Sequence, residues 1–162
     1  LARAEELRFL VLAAQREGQR LLAEALRPVG VTPTQSEVLS VLRSRQPLTL
    51  GELGGLLIAE IGSPSRLVSG LVRAGLVARR PSLEDGRAVE LRLTAQGETA
   101  AEAVAAVEQV LYRAIDEATA GIDTDAAITL LEAFVADRPT GRALQRRRAG
   151  PEDRRSGPNR RR

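Results

Sequence analysis

The chain of 162 residues has no cysteine and no histidine, and none of its 24 basic residues is lysine. Without thiolates and imidazoles it lacks the usual transition-metal ligands, a thiol redox switch and a histidine acid/base catalyst. No disulfide can form, which fits a reducing compartment. No uncharged apolar run approaches the roughly 18 residues that a membrane span requires. Glu5 and Glu6 stand where a secretory leader would need positive charge, so the expectation is a cytoplasmic protein. There is no glycine-rich phosphate loop of the right spacing, no nucleophile elbow and no carboxylate whose setting suggests acid/base work. The expectation is therefore no enzyme, no metal and no cofactor. The all-arginine usage fits a GC-rich bacterial genome.

What is present is distributed unevenly. Positions 1–137 carry 14 Arg against 19 Asp and Glu, while positions 138–162 carry 10 Arg against 2 acids. The net charge of +3 and the high pI thus belong to the C-terminal stretch. An acidic body must concentrate positive charge locally if it is to touch nucleic acid.

Apolar residues at Leu7, Val11, Ala14, Gly18, Leu21 and Ala25 recur at spacings of four and three, which predicts a helix from about Ala2 to Leu26, ended by Pro28 and Gly30. Thr32, Pro33 and Gln35 have the form of a capping box ahead of Val38, Leu39, Val41 and Leu42. Thr49 and Glu52 repeat it before a short helix through Leu53, Leu56 and Leu57, weakened by Gly51, Gly54 and Gly55. Ser63 and Pro64 start the next helix, and Gly75 is placed to close it. On that helix Leu67, Val68, Leu71 and Val72 share one arc; Ser65, Arg66, Ser69, Gly70 and Arg73 share the other. Two β-rich segments, Val77 to Arg80 and Val89 to Leu93, flank a hairpin signal at Asp85 and Gly86. Thr94 opens a long helix carrying Ala100, Val104, Val107, Leu111, Ala114 and Ala118, which Gly121 breaks. Asp123 or Thr124 caps a last helix with Ala127, Leu130, Leu131 and Phe134.

A short helix with one polar, arginine-bearing face, running directly into a hairpin tipped by Arg87, is how a protein lays a helix in a DNA groove and braces it with a wing. The expected fold is mainly α with a small β-hairpin wing. Residues 31–94 form the winged helix-turn-helix lobe, and residues 1–30 with 95–137 form a helical dimerisation region whose stripes one small body can hardly cover. Residues 138–162, rich in Arg, Pro and Gly, are expected to be disordered. Their triplets at Arg146 to Arg148 and Arg160 to Arg162 read as a solvated charge run or as non-specific attraction to phosphate.

This order of parts resembles the MarR family of bacterial winged helix-turn-helix transcription regulators over about residues 5–137. The likeness is carried most specifically by GSPSRLVSGLVRAGLVARR at 62–80 and SLEDGRAVELRLTAQG at 82–97, and more loosely by VTPTQSEVLSVL at 31–42. The resemblance implies a homodimer that binds a roughly palindromic operator in double-stranded DNA, usually to repress, and that a small-molecule effector often releases. By position, Ser63, Ser65, Arg66, Ser69 and Arg73 correspond to residues facing the major groove. Arg87 corresponds to the wing-tip arginine that enters a minor groove, and Asp85 to the acid that holds the wing in shape. Gly86 departs from the family, which often has another basic residue there.

Each role has a plainer alternative. Ser63 is explained by N-capping alone, Asp85 and Gly86 by turn geometry, and Arg87 by a solvated turn. Arg79 and Arg80 are candidates for backbone contacts or for pairing with Glu90. Arg16, Arg20 and Tyr112 could serve an effector cleft or be ordinary surface residues. The competing function is a winged-helix module that binds protein instead of DNA, against which stand two arginines and no acid on the helix face.

Overall fold

The computed structural model describes residues 2–59, 62–82 and 88–150. Helix α1 (Arg3–Leu26) runs through a single 3-10 turn into α2 (Pro33–Arg45), a two-residue strand β1 (Leu48–Thr49), α3 (Leu50–Gly54) and α4 (Pro64–Arg73). Strands β2 (Val77–Pro81) and β3 (Val89–Leu93) follow, then α5 (Ala95–Ala118), α6 (Thr124–Val135) and α7 (Pro139–Arg148). The antiparallel sheet has the order β1-β3-β2, with Leu48 opposite Leu91 and Arg79 also opposite Leu91 on the other side. The architecture is mainly helical with a small sheet, as expected.

Local chemistry sets the boundaries. Thr32 accepts from the Gln35 amide while the Gln35 side chain accepts from the Thr32 amide, and Thr49 and Glu52 do the same. Each box satisfies two amides that the first helical turn leaves without a partner. Thr94 and Asp123 cap α5 and α6 in the simpler way. The glycine-weakened α3 ends at Gly54, short of Leu56 and Leu57, which are nevertheless buried. Packing holds this segment where helicity does not. The core joins Leu26 of α1, Val38, Leu39 and Leu42 of α2, Leu53, Val68 and Leu71 of α4, Val77, Leu91, and Ala101 and Val104 of α5.

The stretch after 137 departs from expectation. Residues expected to be disordered form α7, with Pro139 at its first turn and Gly141 and Ala143 buried. Gly141 is needed at the α6–α7 corner, because a Cβ there would lie 2.1 Å from the Val135 carbonyl oxygen. Nor is the Arg146 to Arg148 triplet a solvated run: Arg146 donates to the Gly55 carbonyl at 2.9 Å, Arg147 pairs with Glu37, and Arg148 pairs with Glu132. Arg160 to Arg162 lie outside the described residues.

Candidate nucleic-acid interface

Helix α4 is built to show one face. Val68 and Leu71 are fully buried, Leu67 and Val72 pack partly against the core, and Ser65, Arg66 and Arg73 are exposed on the opposite side. Ser63 caps the helix, its hydroxyl oxygen accepting from the Arg66 amide at 3.4 Å, near the long limit of such a bond. Because the oxygen only accepts there, the hydroxyl proton remains available to a second partner.

Ser69 and Gly70 on the same face are half-buried. For Ser69 the reason is Arg79, whose guanidinium donates to the Ser69 hydroxyl oxygen at 3.0 Å. The structure thereby ties Arg79 of β2 to Ser69, which shares its helix face with Arg66 and Arg73, and not to Glu90. Glu90 instead accepts from the Ser82 hydroxyl at 2.6 Å and pairs with Arg92 at 3.3 Å. Arg80 is exposed and stands opposite Glu90 in the ladder. Helix α4 thus carries Arg66 and Arg73, takes a bond from Arg79, and contains no carboxylate in its sequence. Asp85, Gly86 and Arg87, the expected wing tip, lie outside the described residues.

The exit of α4 is locked to the sheet and to α5 at one junction. Gly75 has a φ of 73°, its amide donates to the Val72 carbonyl, and the Leu76 amide donates to Leu71. The Thr94 hydroxyl donates to the Gly75 carbonyl at 2.6 Å and accepts from the Gly97 amide at 3.0 Å, while the Thr94 amide donates to the Leu76 carbonyl. Gln46 closes the other side: its carbonyl oxygen accepts from the Leu93 amide and its amide donates to Glu98, both at 2.6 Å. The cap at Thr94 is visible in sequence. Gln46 gives no such signal, because its partners lie 47 and 52 positions away.

A cleft of about 600 Å³ separates α1 from the lobe, and Gln15, Ser40, Glu108, Tyr112 and Arg147 are among its lining. Of the three residues offered as cleft or surface residues, Tyr112 lines this cleft and Arg16 and Arg20 do not. Arg20 is held on the surface by Glu17 and Glu24 at 2.9 and 3.0 Å. Burial pushes the Glu108 carboxyl up from its ordinary pKa, against the hydrogen bond from Ser40 and the attraction of Arg147 and Arg43, and Glu37 adds to the rise. A carboxyl raised on folding contributes stability at acid pH that is lost as pH rises through its folded pKa. Glu108→Gln is therefore expected to raise the melting temperature at pH 7.5, with the gain vanishing towards pH 4. Thermal scans across that pH range check the sign; a loss at pH 7.5 contradicts it.

Comparison with known proteins agrees with this arrangement. The MarR family model matches residues 31–89. The multiple antibiotic resistance protein MarR of Escherichia coli (strain K12) is 34% identical over 88 residues, 54% of this chain and 61% of that protein. That match spans less than two thirds of the relative's length. Wild-type MarR from E. coli in its apo form is 31% identical, with a TM-score of 0.58 over 77% of this chain and 91% of that one. A mutant MarR from E. coli complexed with operator DNA is 28% identical, with a TM-score of 0.71 over 80% and 94%. The backbone is thus closer to the operator-bound form than to the apo form. Among the described residues no helix is long and apolar enough to cross a membrane. The fold is shared with these two MarR structures over 91% and 94% of their length, and the chain belongs to the MarR family of winged helix-turn-helix transcription regulators.

Proposed function

We propose that the protein is a cytoplasmic, dimeric, sequence-specific DNA-binding repressor, with α4 as its recognition helix. The observation that carries this reading is the α4 face, which carries Arg66 and Arg73, takes a bond from Arg79 and has no acid. Arginine paired with guanine is the commonest specific contact in the major groove. Ser63 and Ser65, at the helix N-terminus, suit phosphate or base-edge hydrogen bonds. Arg80 is assigned to the DNA backbone and, by the family resemblance alone, Arg87 to a minor groove.

Support for a homodimer comes from α6. This helix of twelve residues buries none of them in the single chain, and its Ile128, Leu130, Leu131 and Phe134 stand exposed, as do Phe9, Leu10 and Leu12 of α1 and Val110 and Ile115 of α5. A helix of that length is marginal in water without a packed face. A second copy of the chain covers these faces and presents two recognition helices to half-sites of an inverted repeat, about 34 Å apart. The 600 Å³ cleft is the place for a small-molecule effector.

The test is selection of bound fragments from the source genome by the purified protein, followed by salt titration on the recovered sequence. An inverted-repeat target and a steep salt dependence, with about 6 to 8 phosphates neutralised per dimer, are expected. Arg66→Ala and Arg73→Ala are each expected to lower operator preference by about 10-fold or more. Recovery of random fragments, or a flat salt response, overturns the reading.

A further inference from the structure

The five residues between α3 and the approach to α4, Gly55 to Ala59, form no helix or strand. The Gly55 and Leu56 amides close back on Gly51 and Leu53, and four further main-chain groups are bonded by side chains from two other helices. The Glu37 carboxylate on α2 accepts from the Ile58 amide at 2.7 Å with one oxygen and from the Ala59 amide at 3.0 Å with the other. From the C-terminal helix, Arg147 donates to the Leu56 carbonyl at 2.8 Å and pairs with the same Glu37, while Arg146 donates to the Gly55 carbonyl. Arg45 of α2 in turn donates to the carbonyls of Arg147 and Gly150. Ala59 lies four residues before Ser63, the cap of α4. The Glu37 and Arg147 side chains are only 14% and 30% exposed, so removal of either leaves a poorly hydrated charge.

We infer that Glu37 and Arg147 are positioning residues for DNA recognition: together they clamp the connector that delivers α4, and the C-terminal helix acts as a working part of the DNA-binding lobe. Arg147 takes this role through the fork of its guanidinium, which reaches a carbonyl and a carboxylate in two directions at once, and a lysine cannot reproduce it. The inference rests on α4 being the recognition helix.

Electrostatics alone and the clamp predict opposite signs. If charge near DNA were all that mattered, Glu37→Gln would tighten binding by removing a negative charge, Arg147→Ala would weaken operator and random DNA equally, and Arg147→Lys would restore both. The clamp predicts that Glu37→Gln, Arg147→Ala and Arg147→Lys each lower operator affinity about 10-fold and random-DNA affinity by less than about 3-fold. Arg148→Ala removes the same charge one residue away, from an exposed pair with Glu132, and is expected to leave the operator-to-random ratio unchanged.

The measurements are operator and random-duplex affinities of the full chain at one salt concentration, with amide hydrogen exchange at Ile58 and Ala59. Exchange is expected to quicken in Glu37→Gln and Arg147→Lys while the amides of α2 stay protected. Arg147→Lys, which keeps the charge and most of the side-chain volume, serves if Arg147→Ala proves unstable. Tighter operator binding by Glu37→Gln, or a lysine that restores the ratio, overturns the inference. If the unaltered protein prefers no operator, the functional reading itself has failed, and unchanged exchange at Ile58 and Ala59 in the variants would still sink the clamp.

Discussion

Gly97→Ala is expected to lower the melting temperature by about 10 °C, because this is the glycine among the described residues whose added methyl group would meet the closest neighbour. A Cβ at this position would sit 1.9 Å from the Leu76 carbonyl oxygen and 2.9 Å from its carbonyl carbon. Neither atom can yield cheaply. Leu76 is buried, and its carbonyl already accepts from the Thr94 amide. The added methyl must push α5 away from the exit of α4, and overpacking of this kind costs about 3 kcal/mol. Gly51→Ala is the control, since a Cβ there meets nothing within 4 Å, and it is expected to gain up to about 1 kcal/mol from helix propensity. Thermal unfolding followed by circular dichroism measures both. A Gly97→Ala protein that melts with the unaltered chain would show that the α4, sheet and α5 junction is softer than its geometry indicates.

The second large effect concerns the apolar face of α6. Leu131 and Phe134 are 47% and 56% exposed in the single chain. Burial of each against a second copy contributes about 1.5 to 3 kcal/mol, and an aspartate there would bring a charge into the contact. Leu131→Asp combined with Phe134→Asp is expected to yield a monomer by sedimentation equilibrium. Operator affinity should fall about 100-fold or more, because two linked half-site contacts become one. The single-subunit fold is expected to survive, since neither residue belongs to its core. A doubly substituted protein that stays dimeric places the subunit contact elsewhere. One that is monomeric yet binds the operator undiminished removes the reason for pairing recognition helices at all.

How far the sequence could be read depended on how far apart the interacting residues lie. The caps at Thr32, Thr49, Ser63, Thr94 and Asp123 were legible because each bond closes within three residues. The inward and outward arcs of α4 were legible because helix geometry alone dictates them. Helix α7 was not: its composition argues for disorder, and what holds it, Arg146 on Gly55 and Arg147 on Leu56, spans 91 positions. Strand β1 was missed for the same reason, as its two residues gain identity only by pairing with Leu91 and Glu90. Glu90 was also a plausible partner for Arg79 in sequence, since charge alone cannot choose between it and Ser69. Ladder register settles the matter by setting Glu90 opposite Arg80 and within reach of Ser82 and Arg92.

The junction at Thr94 and Gly97 has a mechanical consequence. Because α4, the sheet and the first turn of α5 are bonded to one another there, a tilt of α5 carries them together as one solid piece. With 24 residues, α5 is a lever about 36 Å long. Rotating it by about 5° about its far end would swing that piece by roughly 3 Å, close to the 3.4 Å rise between successive nucleotides of a duplex. Under the proposed function, small rocking of this one rod is therefore enough to move α4 out of step with the bases it faces without melting a single turn.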